Sequence, residues 1–290
     1  MIVVDKPAGW TSHDVVAKMR RLAQERSIGH LGTLDPLATG VLPLIAGRAT
    51  RLARFFTAND KRYEATIEFG ITTDSYDRDG EVTARSSGTS LHQDQVEAAL
   101  ADFRGTFLQT PPAVSAKKIG GVPAYKLARR KIEVAMKPVK VTVFSLELLE
   151  LDGARARLSI HCGGGTYVRS IAHDLGQKLG CGAIVDTLRR TSSGDFSIAQ
   201  ARTMPELQAL SESGEFQSAV IPAARLLPQF PSERVDLTTV GQIRQGRDFR
   251  VSPFRARPDT QFIKAINGEG ELVAIGQVKM PNLYHPILVL

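Results

Sequence analysis

Between Gly29 and Pro43 the chain reads Gly29-His30-Leu31-Gly32-Thr33-Leu34-Asp35-Pro36-Leu37-Ala38-Thr39-Gly40-Val41-Leu42-Pro43. The first twelve of these residues hold three glycines, one imidazole and one carboxylate, and nearly all the rest is apolar. Glycines let a backbone take positive φ or approach a ligand closely. Pro36 biases Asp35 towards an extended conformation and removes the next amide donor. A carboxylate held this way among leucines, with few local donors, is either a turn-former or a positioned reactive group. Leu34-Asp35-Pro36 taken alone reads as a turn. As a phosphate loop the segment fails: it lacks both the Gly-Lys-Ser/Thr ending and the Gly-x-Gly-x-x-Gly spacing, which argues against a mononucleotide enzyme.

The remainder of the chain frames that segment. Its 290 residues suffice for one large domain with a small one, or for two comparable ones. Apolar residues at 42% and charged residues at 23% exclude global disorder and collagen-like repeats. No apolar run approaches the roughly 18 residues that a membrane span needs. Met1-Ile2-Val3-Val4-Asp5-Lys6 leads directly into structured-looking sequence, so no signal peptide is expected and the expected location is cytoplasmic. Cys162 and Cys181 form neither a disulfide framework nor a Cys-x-x-Cys pair, and the six histidines show no His-x-x-x-His spacing. No metal is expected.

Lysine and arginine number 37 against 30 acids, a formal net charge of +7. The excess is concentrated. From Ser115 to Lys137 there are seven basic residues (Lys117, Lys118, Lys126, Arg129, Arg130, Lys131, Lys137) against Glu133, a local +6. From Arg48 to Arg62 there are five (Arg48, Arg51, Arg54, Lys61, Arg62) against Asp60, a local +4. Most charge runs are solvated faces. Two such clusters nevertheless favour a polyanion partner, because clustered cations release counterions from phosphates.

Hydrophobic periodicity predicts a helix over 12–26, with Val15, Val16, Met19, Leu22 and Ala23 on one face and Ser12 as N-cap. Tyr63, Ala65, Ile67 and Phe69 alternate with Glu64, Thr66 and Glu68, a half-buried strand. A second helix is expected over 93–103, paired strands over 139–151 and 154–162, and a helix after Gly163-Gly164-Gly165 carrying Val168, Ile171, Ala172, Leu175 and Leu179. Composition shifts over 203–231, where Ser, Pro and Glu cluster around a short helix, and this segment reads as a linker. Beyond it, Asn267-Gly268-Glu269-Gly270 marks a hairpin between 263–266 and 272–275 in a small β-rich module. Helices and strands do not alternate regularly, so the fold class is α+β and not a doubly wound sheet.

The segment at Gly29-His30-x-Gly32-x-Leu34-Asp35-Pro36-x-Ala38-x-Gly40-x-Leu42-Pro43 resembles the signature of the TruB family of pseudouridine synthases, which modify uridine 55 of tRNA. Further segments agree in the family's order. They are Asp5-Lys6-Pro7-x-Gly9-x-Thr11-Ser12, Asp60-Lys61-Arg62-Tyr63, and Gln109-x-Pro111-Pro112-x-x-Ser115-Ala116-x-Lys118 with Tyr125-x-x-Ala128-Arg129. Gly165-Thr166-Tyr167-Val168-Arg169-Ser170, Asp174-Leu175-Gly176, Leu188-Arg189-Arg190 and Gly194-x-Phe196 complete the set. The resemblance covers roughly residues 2–200 and beyond Ser232 suggests only a PUA-like module. Two departures stand out: only four residues precede Asp5, and Gly163-Gly164 replaces a commonly basic position.

That resemblance implies a pseudouridine synthase fold: a mixed, mainly antiparallel sheet flanked by helices over 1–202, with a basic RNA-gripping insertion at about 104–140. A linker over 203–231 and a PUA-like RNA-binding domain over 232–290 follow. It implies a cofactor-free isomerisation in which a flipped uridine leaves its N-glycosidic bond, rotates and rejoins through carbon. Asp35 would be the essential carboxylate, as nucleophile or base, with Arg169 as its pairing cation and Tyr63 stacking on the base and serving the late proton transfer. Tyr167 and Leu188 would line the uracil pocket, His30 would fill the stack the nucleotide leaves, and Lys6 would support substrate binding. Lys117, Lys118, Arg129 and Arg130 would hold the RNA backbone. Asp77, in Thr73-Asp74-x-x-Asp77-x-Asp79-Gly80, reads as a solvated loop acid. The expected partner is the T-arm stem-loop of tRNA, with no membrane and no obligatory protein partner, and the expected state is a monomer. The competing readings are an RNA-guided relative and an RNA-binding or RNA-folding protein in which catalysis is secondary.

Overall fold

The computed structural model describes the whole chain except residues 58, 87–90, 116–117, 120–121, 124–135 and 254–259; for residues 118–119 and 122–123 it describes backbone pairing alone. In chain order the elements are β1 (Ile2–Lys6), α1 (Ser12–Leu22), β2 (Ile28–His30), β3 (Thr39–Ala46), β4 (Lys61–Phe69), β5 (Ile71–Thr73), β6 (Val82–Arg85) and α2 (Gln93–Leu100). Then come β7 (Gly105–Gln109), β8 (Lys118–Ile119), β9 (Val122–Pro123), β10 (Val139–Asp152), β11 (Arg155–Cys162), α3 (Val168–Lys178), β12 (Ala183–Ser193), β13 (Phe196–Ser197), β14 (Arg202–Thr203) and α4 (Met204–Glu212). The C-terminal part holds β15 (Ser232–Arg234), α5 (Leu237–Arg244), β16 (Phe249–Arg250), β17 (Phe262–Ile266), β18 (Leu272–Met280) and β19 (Leu283–Val289).

The large sheet runs β14-β1-β3-β12-β4-β11-β10-β7, with β13 added on β12 and β2 on β3. Only β1/β14 and β3/β12 pair in parallel; every other ladder is antiparallel. The result is α+β with a mixed, mainly antiparallel sheet, as the sequence predicts. A separate five-stranded sheet, β15-β17-β18-β19-β16, forms the β-rich C-terminal part.

The strand patterns explain where the cores lie. In β4, Lys61, Tyr63, Ala65, Ile67 and Phe69 face inward and are buried, while Arg62 and Glu64 are exposed. That inner face packs under α3, whose Val168, Ile171, Ala172 and Leu175 are buried in the same cluster. β1 and β3 behave differently, since both of their faces are covered. Ile2, Val4, Leu42 and Leu44 join the main core with α1, whereas Val3, Val41 and Ile45 join a second core with Ile266, Leu272, Ile275 and Leu288 of the C-terminal sheet. Burial on both faces is why these strands read as continuous apolar runs.

Three boundaries differ from the periodicity. Helix α1 ends at Leu22 rather than 26, because Gln24 adopts φ 50°, a left-handed conformation that stops the helix. Its N-cap is Thr11, which accepts from the Asp14 amide in a capping box. Ser12 instead turns inward, donating to the Leu34 carbonyl at 3.1 Å and accepting from the Leu34 amide at 2.9 Å. Residues 203–231, expected as a linker around a short helix, carry that helix as α4 but are packed into the fold, with Leu207 buried in the main core and Leu226 and Leu227 in the second.

Because one strand pair feeds both cores, the two parts should unfold together. Ile45→Ala, which empties a fully buried site in the second core, is expected to cost about 2–5 kcal/mol. Denaturant titration followed by far-ultraviolet circular dichroism and by an aromatic probe should give one shifted transition; two separated transitions would contradict the shared core.

Candidate active site

Five of the residues singled out from sequence converge on one cleft of about 270 Å³, lined among others by Asp35, Tyr63, Tyr167, Arg169 and Leu188. Tyr63 and Leu188 stand on the inner face of adjacent strands β4 and β12, where Tyr63 is paired with Arg190 and Ala65 with Leu188. Tyr167 is the N-cap of α3 and Arg169 lies in its first turn. Asp35 comes from the loop between β2 and β3.

Arg169 organises the site. Its Nε lies 2.9 Å from Asp35 Oδ2, and its Nη2 donates to Asp35 Oδ1 at 3.1 Å. The guanidinium also donates to the Ser75 carbonyl at 2.8 Å and to the Val114 carbonyl at 3.0 Å. Its side chain is 4% exposed and that of Asp35 32%, so the carboxylate faces the cleft while its cation is sealed behind it. Contact with a guanidinium through both oxygens fixes the orientation of a carboxylate.

A second carboxylate shares this guanidinium. Asp77 Oδ2 lies 3.4 Å from Arg169 Nη1, and its side chain is only 7% exposed. Asp77 is therefore not the solvated loop acid expected from its Asp- and Gly-rich surroundings. It accepts from the Ser75 hydroxyl at 2.6 Å and from the Asp79 amide at 3.1 Å. Burial pushes its carboxyl up, against the pull of the Ser75 hydrogen bond and Arg169. The loop is pinned from two sides. Arg78 donates to the Val185 carbonyl of β12, and the Tyr76 ring stacks on His173 of α3 with centroids 3.8 Å apart. Tyr76 holds φ 64°, a conformation that costs energy for an aromatic residue and that the stack maintains.

Arg190 does for the Asp35 loop what Arg169 does for the carboxylate. It is 1% exposed and donates to the carbonyls of Val41 at 2.7 Å and Gly32 at 3.0 Å, and more loosely to that of Thr33 at 3.4 Å. It thereby ties both arms of the loop to β12. At Gly40, with φ 100°, a Cβ would lie 2.2 Å from the Arg190 carbonyl oxygen, so only glycine permits this approach. Gln109, also buried, accepts from the Tyr167 amide at 2.8 Å and donates to its carbonyl at 3.0 Å, fixing the start of α3.

The remaining expected site residues fall elsewhere. Lys6 is fully buried, and its Nζ donates to the carbonyls of Pro7 at 2.8 Å, Trp10 at 2.6 Å and Pro36 at 3.2 Å. With its three protons facing backbone carbonyls, it supports the loop from below and is not a substrate contact; burial lowers it to about 8. His30 is half-buried at the end of β2, edge-to-face with His13 at 5.6 Å, and does not line the cleft. Burial, then His13 and Arg190, hold its pKa down. Lys117, Arg129 and Arg130 lie outside the described residues, as does the side chain of Lys118.

Chemically, the cleft presents one oriented carboxylate beside two tyrosines and a leucine, a setting for a flat, uncharged ring with a carboxylate at its edge. Burial raises the phenols of Tyr63 and Tyr167. Arg190 acts in the opposite direction on Tyr63.

The model of the TruB family pseudouridylate synthase N-terminal domain matches residues 20–168, and that of the tRNA pseudouridylate synthase B C-terminal domain matches residues 169–227. The tRNA pseudouridine synthase B of Solibacter usitatus (strain Ellin6076) is 56% identical over 290 residues, covering 100% of this chain and 99% of that protein. That of Dehalococcoides mccartyi (strain CBDB1) is 38% identical over 286 residues, covering 99% and 94%. Among solved structures, a chain from a Cbf5-Nop10-Gar1 complex aligns with a TM-score of 0.71 at 28% identity, covering 97% of this chain and 78% of that one.

Arg190→Met would leave the carbonyls of Gly32, Thr33 and Val41 without their donor and is expected to destabilise the protein by at least about 2 kcal/mol. Arg190→Lys, able to reach fewer of them, should recover only part. Denaturant midpoints of the three proteins check this ordering.

Proposed function

The chain belongs to the TruB family of pseudouridylate synthases, and from that premise we propose that it isomerises the T-arm uridine of tRNA, without a cofactor, with Asp35 as the reacting carboxylate. It is a tRNA pseudouridine synthase. The observation that carries the finer reading is the Asp35–Arg169 pair, a cleft-facing carboxylate locked at two points in a pocket walled by Tyr63, Tyr167 and Leu188.

The reaction conserves atoms and electrons. The bond from C1′ to N1 breaks, the uracil rotates, a bond from C1′ to C5 forms, N1 ends with a proton, and the hydrogen of C5 leaves. Asp35 serves either by attacking C1′ or by taking the proton at C2′, and both routes require the oriented carboxylate that Arg169 supplies. Tyr63 offers its ring face to the base. We assign it the transfer of the C5 proton as well, with Arg190 the neighbouring cation that eases loss of a proton from the phenol. A uridine in a folded arm must first leave its stack, at a cost of a few kcal/mol. To His30, which does not line the cleft but lies two residues before the cleft-lining Gly32, we assign the filling of the gap left in the stack.

Charge on the described surface supports an RNA partner. Arg48, Arg51 and Arg54 recur every third residue in the 3₁₀ helix over Gly47–Phe55 and are all exposed. Three residues make one 3₁₀ turn, so the three form a single ridge. Thr57, one further step along, lines the cleft. We propose that the T-arm stem-loop follows this ridge, and that the protein acts as a monomer without protein partners.

Tritium release from carbon-5-labelled uridine in a T-arm stem-loop tests the reading. Release by the wild type, none by Asp35→Asn, and binding retained by both is the expected outcome. Asp77→Asn, which weakens one charged contact to Arg169, should slow release by about 10- to 100-fold with binding kept. Binding without release by the wild type would favour a guided enzyme or an RNA-binding protein.

A further inference from the structure

Lys61 is the one cation of the cleft wall that neither the fold nor the reaction, as described, uses. It is the first residue of β4, two positions before Tyr63 and on the same face, so the two side chains start about 7 Å apart along the strand. The residue is 9% exposed and lines the cleft. Its ammonium donates to the Asn59 carbonyl, and among the described residues no carboxylate lies within 4.0 Å of it, the ion-pair limit. Asp60, its nearest acid in sequence, is taken up by His161. Of the other buried cations here, Arg169 is committed to Asp35 and Asp77, and Arg190 has its guanidinium occupied by the loop carbonyls. Among the described residues, Lys61 has one hydrogen-bond acceptor for its three N–H groups.

The neighbouring backbone carries no side chain against that amine. A Cβ at Gly164 would lie 3.3 Å from Lys61 Nζ and 3.1 Å from the Thr57 carbonyl, so the glycine keeps a side chain from crowding the amine. An ammonium held in such a site without a counter-ion is costly, and burial, followed by repulsion from Arg190, lowers its pKa. An arriving anion would remove that penalty. Uracil is neutral, so the anion must come from the backbone of the same nucleotide.

Resting on the reading of this cleft as a uridine site, we propose that Lys61 binds one of the two phosphodiesters flanking the flipped uridine, anchoring the nucleotide while Asp35 acts on its sugar. The strand starts the lysine and tyrosine side chains about 7 Å apart on one face, within the span of one nucleotide, and at Gly164 no side chain stands against the amine. The contact fixes where the sugar sits and is indifferent to base identity, so it contributes to KM and to the salt dependence more than to kcat.

The test uses synthetic T-arm stem-loops in which the 5′ or the 3′ phosphodiester of the target uridine is replaced, one at a time, by an uncharged methylphosphonate. Wild-type kcat/KM should fall about tenfold, about 1.4 kcal/mol, on one of the two and little on the other. Lys61→Met should lose a similar factor on the unmodified RNA, mainly through KM, and lose nothing further on the sensitive methylphosphonate. Lys61→Arg should retain most activity. The slope of log(kcat/KM) against log salt should also become shallower by about 0.7–0.9 in Lys61→Met. Equal losses for wild type and Lys61→Met on the methylphosphonate, or no loss by wild type on either, would overturn the contact while leaving the enzyme reading intact; the wild-type arm is informative even if the methionine variant folds poorly. Failure of the wild type to release tritium from unmodified RNA would remove the parent reading, and this contact with it.

Discussion

The Arg169 guanidinium stands between Asp35 and Asp77, and each of the three side chains is delivered by a different part of the fold. Asp35 arrives on a loop between two strands, Arg169 on the first turn of a helix, and Asp77 on a turn bridged to β12. Two carboxyl groups thus share one guanidinium that is almost wholly buried. Removing one partner of such a set leaves an uncompensated charge, which is why the surrounding contacts are so densely committed. The Tyr76–His173 stack, the Ser75 and Val114 carbonyls and the Arg190 ties all fix the distance between one guanidinium and one carboxylate.

The sheet topology makes that arrangement possible. β3 and β12 pair over only two registers, Thr39 with Arg189 and Gly40 with Arg190, and N-terminal to this point the place beside β12 is taken by the Asp77 bridge. The Asp35 loop occupies the interval. It is held there from below by Lys6, from the helix side by Ser12 and from the strand side by Arg190, each bonding to its main chain. A segment that cannot form a helix or a regular ladder thus has its polar backbone satisfied by side chains, as burial demands.

What the sequence made readable follows the range of the physics involved. β4 was plain because alternation is local, and Asp35 stood out because glycines, a proline and leucines around one acid are unusual within a few residues. Tyr63, Tyr167, Arg169 and Leu188 rested on the family resemblance; on a strand or helix their residue types are equally at home in a core. Asp77 misled, since Asp74, Asp77, Asp79 and Gly80 have the composition of an exposed turn, and its burial comes from Tyr76 meeting His173 and Arg78 meeting Val185, partners distant in sequence. Lys6 misled in the opposite sense. A lysine in a motif invites a ligand, but carbonyls of Pro7, Trp10 and Pro36 already surround it. Gln109, Lys61 and Arg190 sit inside the matched motifs, yet only tertiary contact shows what they do.

The second core extends the same logic to the C-terminal sheet. Val41, whose carbonyl Arg190 grips, buries its side chain in the same cluster as Ile275 and Leu288 of that sheet, one residue beyond the Gly40–Arg190 contact. Interiors are close-packed and transmit displacement instead of absorbing it. A shift of the C-terminal sheet therefore bears on β3 at the point where the Asp35 loop begins to leave the ladder. The β-rich part is physically continuous with the reactive loop, and the precision with which Asp35 faces the cleft depends on packing on both faces of β3.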